Sequence, residues 1–189
     1  MFDSIVTHIR KHAGLTDAEA DILTSLLTVR DVKKKEHLLE AGKVCTEYYF
    51  VAEGCFRMYL VTAKGAEQVI QFGIEDWWIN DYASYKTGLP SGYCIQAVEK
   101  AKVIVLDKKN EEEMFTRLPQ MERYFRRVAE KAYSAQLNRI HYIFNLSGEE
   151  QYHLMNSRHP QFVQRVPQYM LASFLGITPE FLSKLRAKR

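Results

Sequence analysis

The sequence predicts an α+β chain: an N-terminal antiparallel β-roll, then one long helix, then a small C-terminal helical unit. Three observations predict it. Short β-rich runs punctuated by glycine fill residues 29–107. Residues 120–145 then pass without a Gly or a Pro. The last stretch, LASFLGITPEFLSKLRAKR at 171–189, spaces a small residue, a glycine and several leucines as two short helices joined by a tight turn require. These changes of texture divide the chain into 1–118, 119–145 and 146–189.

Residues 3–12 have helical spacing, with Phe2, Ile5 and Ile9 on one side. Thr16 and Glu19 form a capping box for a second helix, whose apolar face is Ile22, Leu23, Leu26 and Leu27. The roll follows as EYYFVA, CFRMYLV, EQVIQF, YCIQAV and KVIVLD, with Gly42, Gly54, Gly65, Gly73, Gly88 and Gly92 between or beside them. TAKG at 62–65 reads as a hairpin turn, with Phe56, Met58 and Leu60 on one face of the strand before it. No strand–helix–strand alternation is present, so the sheet is antiparallel.

The long helix expected over 119–145 is about 40 Å long. It carries two apolar stripes. Met121, Phe125, Val128, Ala132 and Ala135 follow steps of 4, 3, 4 and 3, while Tyr133, Leu137, Ile140 and Phe144 form the other. A helix with two apolar faces needs two neighbours. The first stripe has coiled-coil spacing and is the candidate seam with a second copy. Burial of both faces within one chain is the competing arrangement. Ser147, with Glu149 and Glu150 behind it, starts a further short helix that SRHP at 157–160 ends.

In the closing stretch, Pro167 can open a helix because its missing N–H would be unpaired there. Gly176 suits a left-handed end, and Thr178 with Pro179 starts the next helix. Ala172 sits where the two helices cross, and Leu171, Leu175, Ile177, Leu182 and Leu185 form their shared core. Glu180, Ser183, Lys184 and Ala187 are left facing out, as a helix entering a major groove requires. Arg186, Lys188 and Arg189 make a basic end suited to phosphates.

Charge agrees with this division. Residues 1–118 hold 15 Lys/Arg against 18 Asp/Glu, a balance of −3, and residues 119–189 hold 11 against 5, a balance of +6. The basic half suggests a polyanionic partner; a solvated basic face with no partner is the competing reading. No apolar run approaches the roughly 20 residues that cross a bilayer, so no membrane is expected. The amphipathic N-terminus MFDSIVTHIRKHAG lacks a signal core. With three scattered cysteines, Cys45, Cys55 and Cys94, it points to the cytoplasm and reduced thiols. Four clustered ligands for an iron–sulfur cluster are missing. His8 and His12 share a helix face but have no third ligand nearby, so no metal site is expected. A metal-dependent barrel enzyme needs several His or Glu inside the roll, and residues 29–107 hold one histidine, His37. No P-loop, dinucleotide fingerprint or nucleophile elbow occurs. An enzyme is therefore not expected.

The order of parts, the stretch LLEAGKVCTEYYFVAEGCFRMYLVTAKGAEQVIQF and the closing LGITPEFLSKLR together resemble the Crp/Fnr family of bacterial transcription regulators, and most of all its shorter Bacteroidetes-type members. The resemblance covers about residues 15–189. It implies a cyclic-nucleotide-binding-like sensor roll, a dimerisation helix and a DNA-binding helix-turn-helix. It also implies a homodimer on an inverted-repeat operator in double-stranded DNA, with RNA polymerase as a further partner. DNA-binding residues would be Thr178, Pro179, Glu180, Ser183, Lys184, Arg186, Lys188 and Arg189. Glu180 can accept from cytosine and Lys184 can donate to guanine.

Three departures matter. Cyclic-nucleotide members carry a Gly-Glu pair and an Arg-Ser pair that bind ribose and phosphate. Here EDWWINDYASYKTGLPSGYCIQ places Ile79 and Asn80 near the first pair and Pro90, Ser91 and Gly92 near the second, and the arginine is missing. Cyclic AMP is therefore not expected to bind in the family's manner, and the effector stays unidentified. Pro179 stands where cyclic-AMP-responsive members have a base-reading Arg, so the operator should differ. Many members also continue past the recognition helix, and this chain does not. The aromatic stretch offers Trp77, Trp78, Asn80, Asp81 and Ser91 as a candidate pocket lining; packing, or a seat for the long helix, competes with it. Asp76 and Asp81 read as caps of the cassette helix. The alternative function is a ligand-binding roll whose helical tail docks a protein.

Overall fold

The computed structural model describes residues 1–187. Lys188 and Arg189, expected at the basic end, lie outside the described residues. The chain runs α1 (Asp3–Arg10), α2 (Asp17–Ser25), β1 (Thr28–Val32), β2 (His37–Leu39), β3 (Glu47–Glu53), β4 (Phe56–Val61), β5 (Glu67–Gly73), β6 (Trp78–Ile79), α3 (Tyr82–Thr87), β7 (Cys94–Ala97) and β8 (Ala101–Asp107). Then come α4 (Lys108–Arg117), α5 (Gln120–Asn145), α6 (Gly148–Arg158), α7 (Pro160–Arg165), α8 (Gln168–Leu175) and α9 (Pro179–Ala187).

The strands form two four-stranded antiparallel sheets, β1-β8-β3-β6 and β2-β7-β4-β5, which is the expected roll. The five β-rich runs become β3, β4, β5, β7 and β8. Strand alternation sends Phe56 and Met58 inward with Ile95 and Ala97, their partners across β4 and β7. Leu60, expected on the same face, is only half-buried. The TAKG turn closes as Gly65 N donates to the Thr62 carbonyl (2.8 Å) and Thr62 N to that of Ala66 (2.9 Å). The capping boxes of α2 and α6 form on Thr16 with Glu19 and on Ser147 with Glu150.

The main core runs through the β1-β8-β3-β6 sheet: Tyr49 of β3 reaches across to the Leu38 carbonyl of β2, while Phe50 on the opposite face meets His8 of α1, and α2, α4 and the start of α5 join the same cluster. A second apolar cluster lies on the outer face of the β2-β7-β4-β5 sheet. There Cys55, Tyr59, Val69, Phe72, Cys94 and Val98 are covered by the C-terminal helices through residues such as Val163, Met170, Leu171 and Leu175. Phe72 packs against Phe162 at 5.1 Å and Phe174 at 5.3 Å. Ser173 stands at the open edge of β5. Its Oγ accepts from Val69 N (2.9 Å) and donates to the Glu67 carbonyl (2.8 Å), so α8 supplies what an edge strand lacks. Arg165 adds a fork to Glu75 (2.6 and 2.8 Å) and a bond to Glu99 (2.7 Å).

Two consequences can be measured. Gly54 has φ +100°, and a Cβ there would stand 2.5 Å from that of Ala101. Gly54→Ala should therefore cost about 2–4 kcal/mol of stability, read by urea unfolding, through strain and overlap together. The Arg165 guanidinium holds Glu75 well below its usual value of 4.5, at about 2. Its folded pKa is depressed, so its stabilisation is present above pH 4.5 and is lost as pH falls through about 2. Because the pair is part-exposed, Arg165→Ala should cost about 1 kcal/mol at neutral pH and little near pH 2, by the same measurement.

Candidate nucleic-acid interface and roll interior

The helix-turn-helix is built as its residues require. Gly176 ends α8 at φ +69°, a left-handed conformation that glycine adopts without strain. Thr178 Oγ1 accepts from Phe181 N (3.1 Å) and caps α9. Ala172 is fully buried at the crossing, together with Leu171 and Leu182. Gln168 Nε2 donates to the Pro179 carbonyl (2.8 Å) and ties the first turns of the two helices together. Leu182 and Leu185 fix the rotation of α9 about its own axis. Thr178, Pro179, Glu180, Ser183, Lys184 and Ala187 are consequently exposed. Arg186 is half-buried, and its Nη2 donates to the Val163 carbonyl (2.8 Å), bracing α9 against α7. Two exposed aromatic residues that the sequence analysis did not single out, Tyr169 and Phe181, lie on the same two helices. The signal available for them was an apolar ring at a position the shared core does not use.

The long helix distributes its stripes unlike the expected seam. Met121 is buried in its own core, and Phe125 and Val128 pack against that core. Phe125 meets Trp78 at 5.2 Å and Tyr48 at 5.6 Å. These three residues are thus spent on their own roll, because the aromatic stretch waits there for an apolar face. Ala132 and Ala135, further along, are exposed. The other stripe is the bare one: Tyr133 is 67% exposed and Phe144 82%, with Leu137, Ile140 and Ile143 about half exposed.

Within the aromatic stretch, Trp78 forms part of the seat of α5. Trp78 Nε1 donates to the Tyr124 hydroxyl (2.8 Å), which is free to donate in turn to His8 Nδ1 (2.7 Å). Burial and the neighbouring His12 lower the His8 pKa, which suits a neutral, accepting ring. Trp77 is exposed in the turn before β6. Asp81 caps α3, accepting from Ala83 N (3.1 Å) and Ser84 N (3.2 Å). Asp76 caps nothing and sits in a turn at φ +66°. Ser91 Oγ donates to Asp81 Oδ2 at 2.7 Å, and both residues are buried. Asn80 is half-buried, and its Nδ2 finds no hydrogen-bond partner.

A cyclic phosphate asks for donors and a cation. In this cassette the serine hydroxyl already serves a carboxylate, which repels phosphate. No arginine occurs between Arg57 and Arg117. Arg57 itself is tied to Gln96 (2.7 and 2.9 Å) and Glu67 (2.6 Å). Lys86, on α3, is paired with Glu111 at 3.1 Å. The residues present do not fit the group. Among the described residues, no three His, Cys, Asp or Glu side chains gather as metal ligands. Among them, too, no helix is long and apolar enough to cross a membrane.

Residues 29–117 match the family model of the cyclic nucleotide-binding domain. No curated protein matches the chain in sequence. Among solved structures, the chain is similar to FixK2 from Bradyrhizobium japonicum, with 14% identity over 86% of this chain and 83% of that one, at a TM-score of 0.71. It is similar to CLP of Xanthomonas campestris, described as a c-di-GMP responsive global regulator, with 12% identity over 92% and 91% and a TM-score of 0.72. A protein described as a Crp/Fnr-family transcriptional regulator from Eubacterium rectale matches with 14% identity over 92% and 83%, at a TM-score of 0.67. Residues 29–117 thus match the cyclic nucleotide-binding domain model, and the chain shares the fold of these solved structures.

Proposed function

We propose that the protein is a homodimeric, sequence-specific DNA-binding transcription regulator of the Crp/Fnr type that does not take cyclic AMP in the manner usual for that family. The observation that carries this is the bare outer face of α9. Glu180, Ser183 and Lys184 stand in solvent while Leu182 and Leu185 anchor the helix behind them. A helix held in this way on a glycine turn can lie in a major groove with its polar side toward the base edges. Lys184 suits guanine O6 and N7, and Glu180 suits the cytosine amino group. The regulators of similar fold favour the same role.

The second copy covers the exposed stripe of α5. Tyr133, Leu137, Ile140 and Phe144 recur at steps of four, three and four, and a large apolar strip left in water is a docking face. Pairing two α5 helices along it gives a two-fold axis, and an inverted repeat is the sequence that such an axis reads. The Asp81–Ser91 hydrogen bond and the missing arginine speak against cyclic AMP.

Selection of bound duplexes from a random pool at near-physiological salt should enrich an inverted repeat, and no enrichment would overturn the proposal. Lys184→Ala should lose about 1–3 kcal/mol on the selected site and relax its sequence preference, in a competition titration. Replacing Lys188 and Arg189 should weaken binding to every sequence and flatten its salt dependence. Leu137→Lys should turn the dimer into monomers in analytical ultracentrifugation. Millimolar cyclic AMP should leave the thermal unfolding midpoint unmoved, since a ligand that binds only the native state raises it.

A further inference from the structure

The outer face of α9 carries one side chain that neither folding nor polar readout accounts for. Phe181 is 40% exposed. Its backbone N–H is held by the Thr178 cap. Its neighbour Leu182 is fully buried, and Leu185 nearly so, so the helix cannot turn to hide the ring. Phe181 lies next to Glu180 and three residues before Lys184, which places all three on neighbouring parts of one surface. The exposed edge of the ring, beside Glu180 and Lys184 on the helix surface, adds little to the fold. Against a major groove it meets one apolar feature, the C5-methyl group of thymine, with which a phenylalanine makes a favourable contact.

We propose that Phe181 reads a thymine methyl group at one fixed position of each half-site, beside the bases that Glu180 and Lys184 address. This rests on the DNA-binding function proposed above. It adds a specificity that hydrogen bonding alone does not supply, since deoxyuridine offers the same donors and acceptors as thymidine and lacks only the methyl group.

The test uses the full chain and the duplex selected by it. Each thymine of a half-site, with its symmetry mate, is replaced in turn by deoxyuridine, and affinities are compared for the unaltered protein and Phe181→Ala. One symmetric position should cost the unaltered protein about fourfold per half-site, the worth of one buried carbon group. Phe181→Ala should bind the thymine and uracil duplexes alike, with an unfolding midpoint close to that of the parent. Tolerance of uracil at every position, or an equal penalty in Phe181→Ala, would overturn the methyl readout and leave DNA binding standing. Failure to select any duplex overturns DNA binding, and the methyl readout with it.

Discussion

The placing of the C-terminal helices depends on the outer face of one sheet being apolar. A sheet that packs on one side only alternates apolar-in with polar-out. Here β4 and β7 bury consecutive residues, so both faces of the sheet are covered. Phe72, Val69 and Cys55 on the outside give α7 and α8 a surface to pack on, and Ser173 finishes the edge of β5. Without that face, α6 to α9 would have to gain their burial from one another. With it, the rotation of α8, and through the Gly176 turn that of α9, is fixed relative to the roll.

The same surface joins the roll to the long helix. The Phe174 ring lies between Phe72 of the roll and Arg139 of α5, whose guanidinium carbon stands 3.6 Å from the ring centroid. Arg139 Nη2 also donates to the Phe174 carbonyl (3.0 Å), near the end of α8 where carbonyls lack helical partners. Burial lowers its pKa only to about 10, so it stays charged at neutral pH and its cation–π contact persists. One phenylalanine thus touches the roll, the long helix and the helix-turn-helix.

Much of this was legible in the sequence because it depends on local rules. β-rich runs between glycines marked β3, β4, β5, β7 and β8, the Thr16 and Ser147 boxes marked two helix starts, and Ala172 with Gly176 marked the crossing and the turn. The short strands β2 and β6 carry too few residues for a period to show, β1 buries only Val32, and α7 has only six residues. The α5 stripes show the limit most clearly. Periodicity says that a face is covered, and it does not say by what. Met121, Phe125 and Val128 have coiled-coil spacing, yet they pack on the roll's own core, with Phe125 against Trp78 and Tyr48. The Asp81–Ser91 bond spans ten residues and a helix, so the missing arginine was visible and the carboxylate that takes the serine was not.

If the chain pairs and binds DNA as proposed, Arg139 links the two. Arg139 lies between Leu137 and Ile140, within one turn of the stripe proposed to meet the second copy. Packing two helices along that stripe restrains the backbone of this turn. Arg139 is then held at its base by the helix pair and at its tip by Phe174. A rotation of α5 at the seam would move the guanidinium off the Phe174 ring or carry α8 with it, and α9 follows α8 through Gly176 and the Gln168–Pro179 bond. In the proposed dimer, the orientation of the two recognition helices is therefore tied to the geometry of the seam by side chains within one chain.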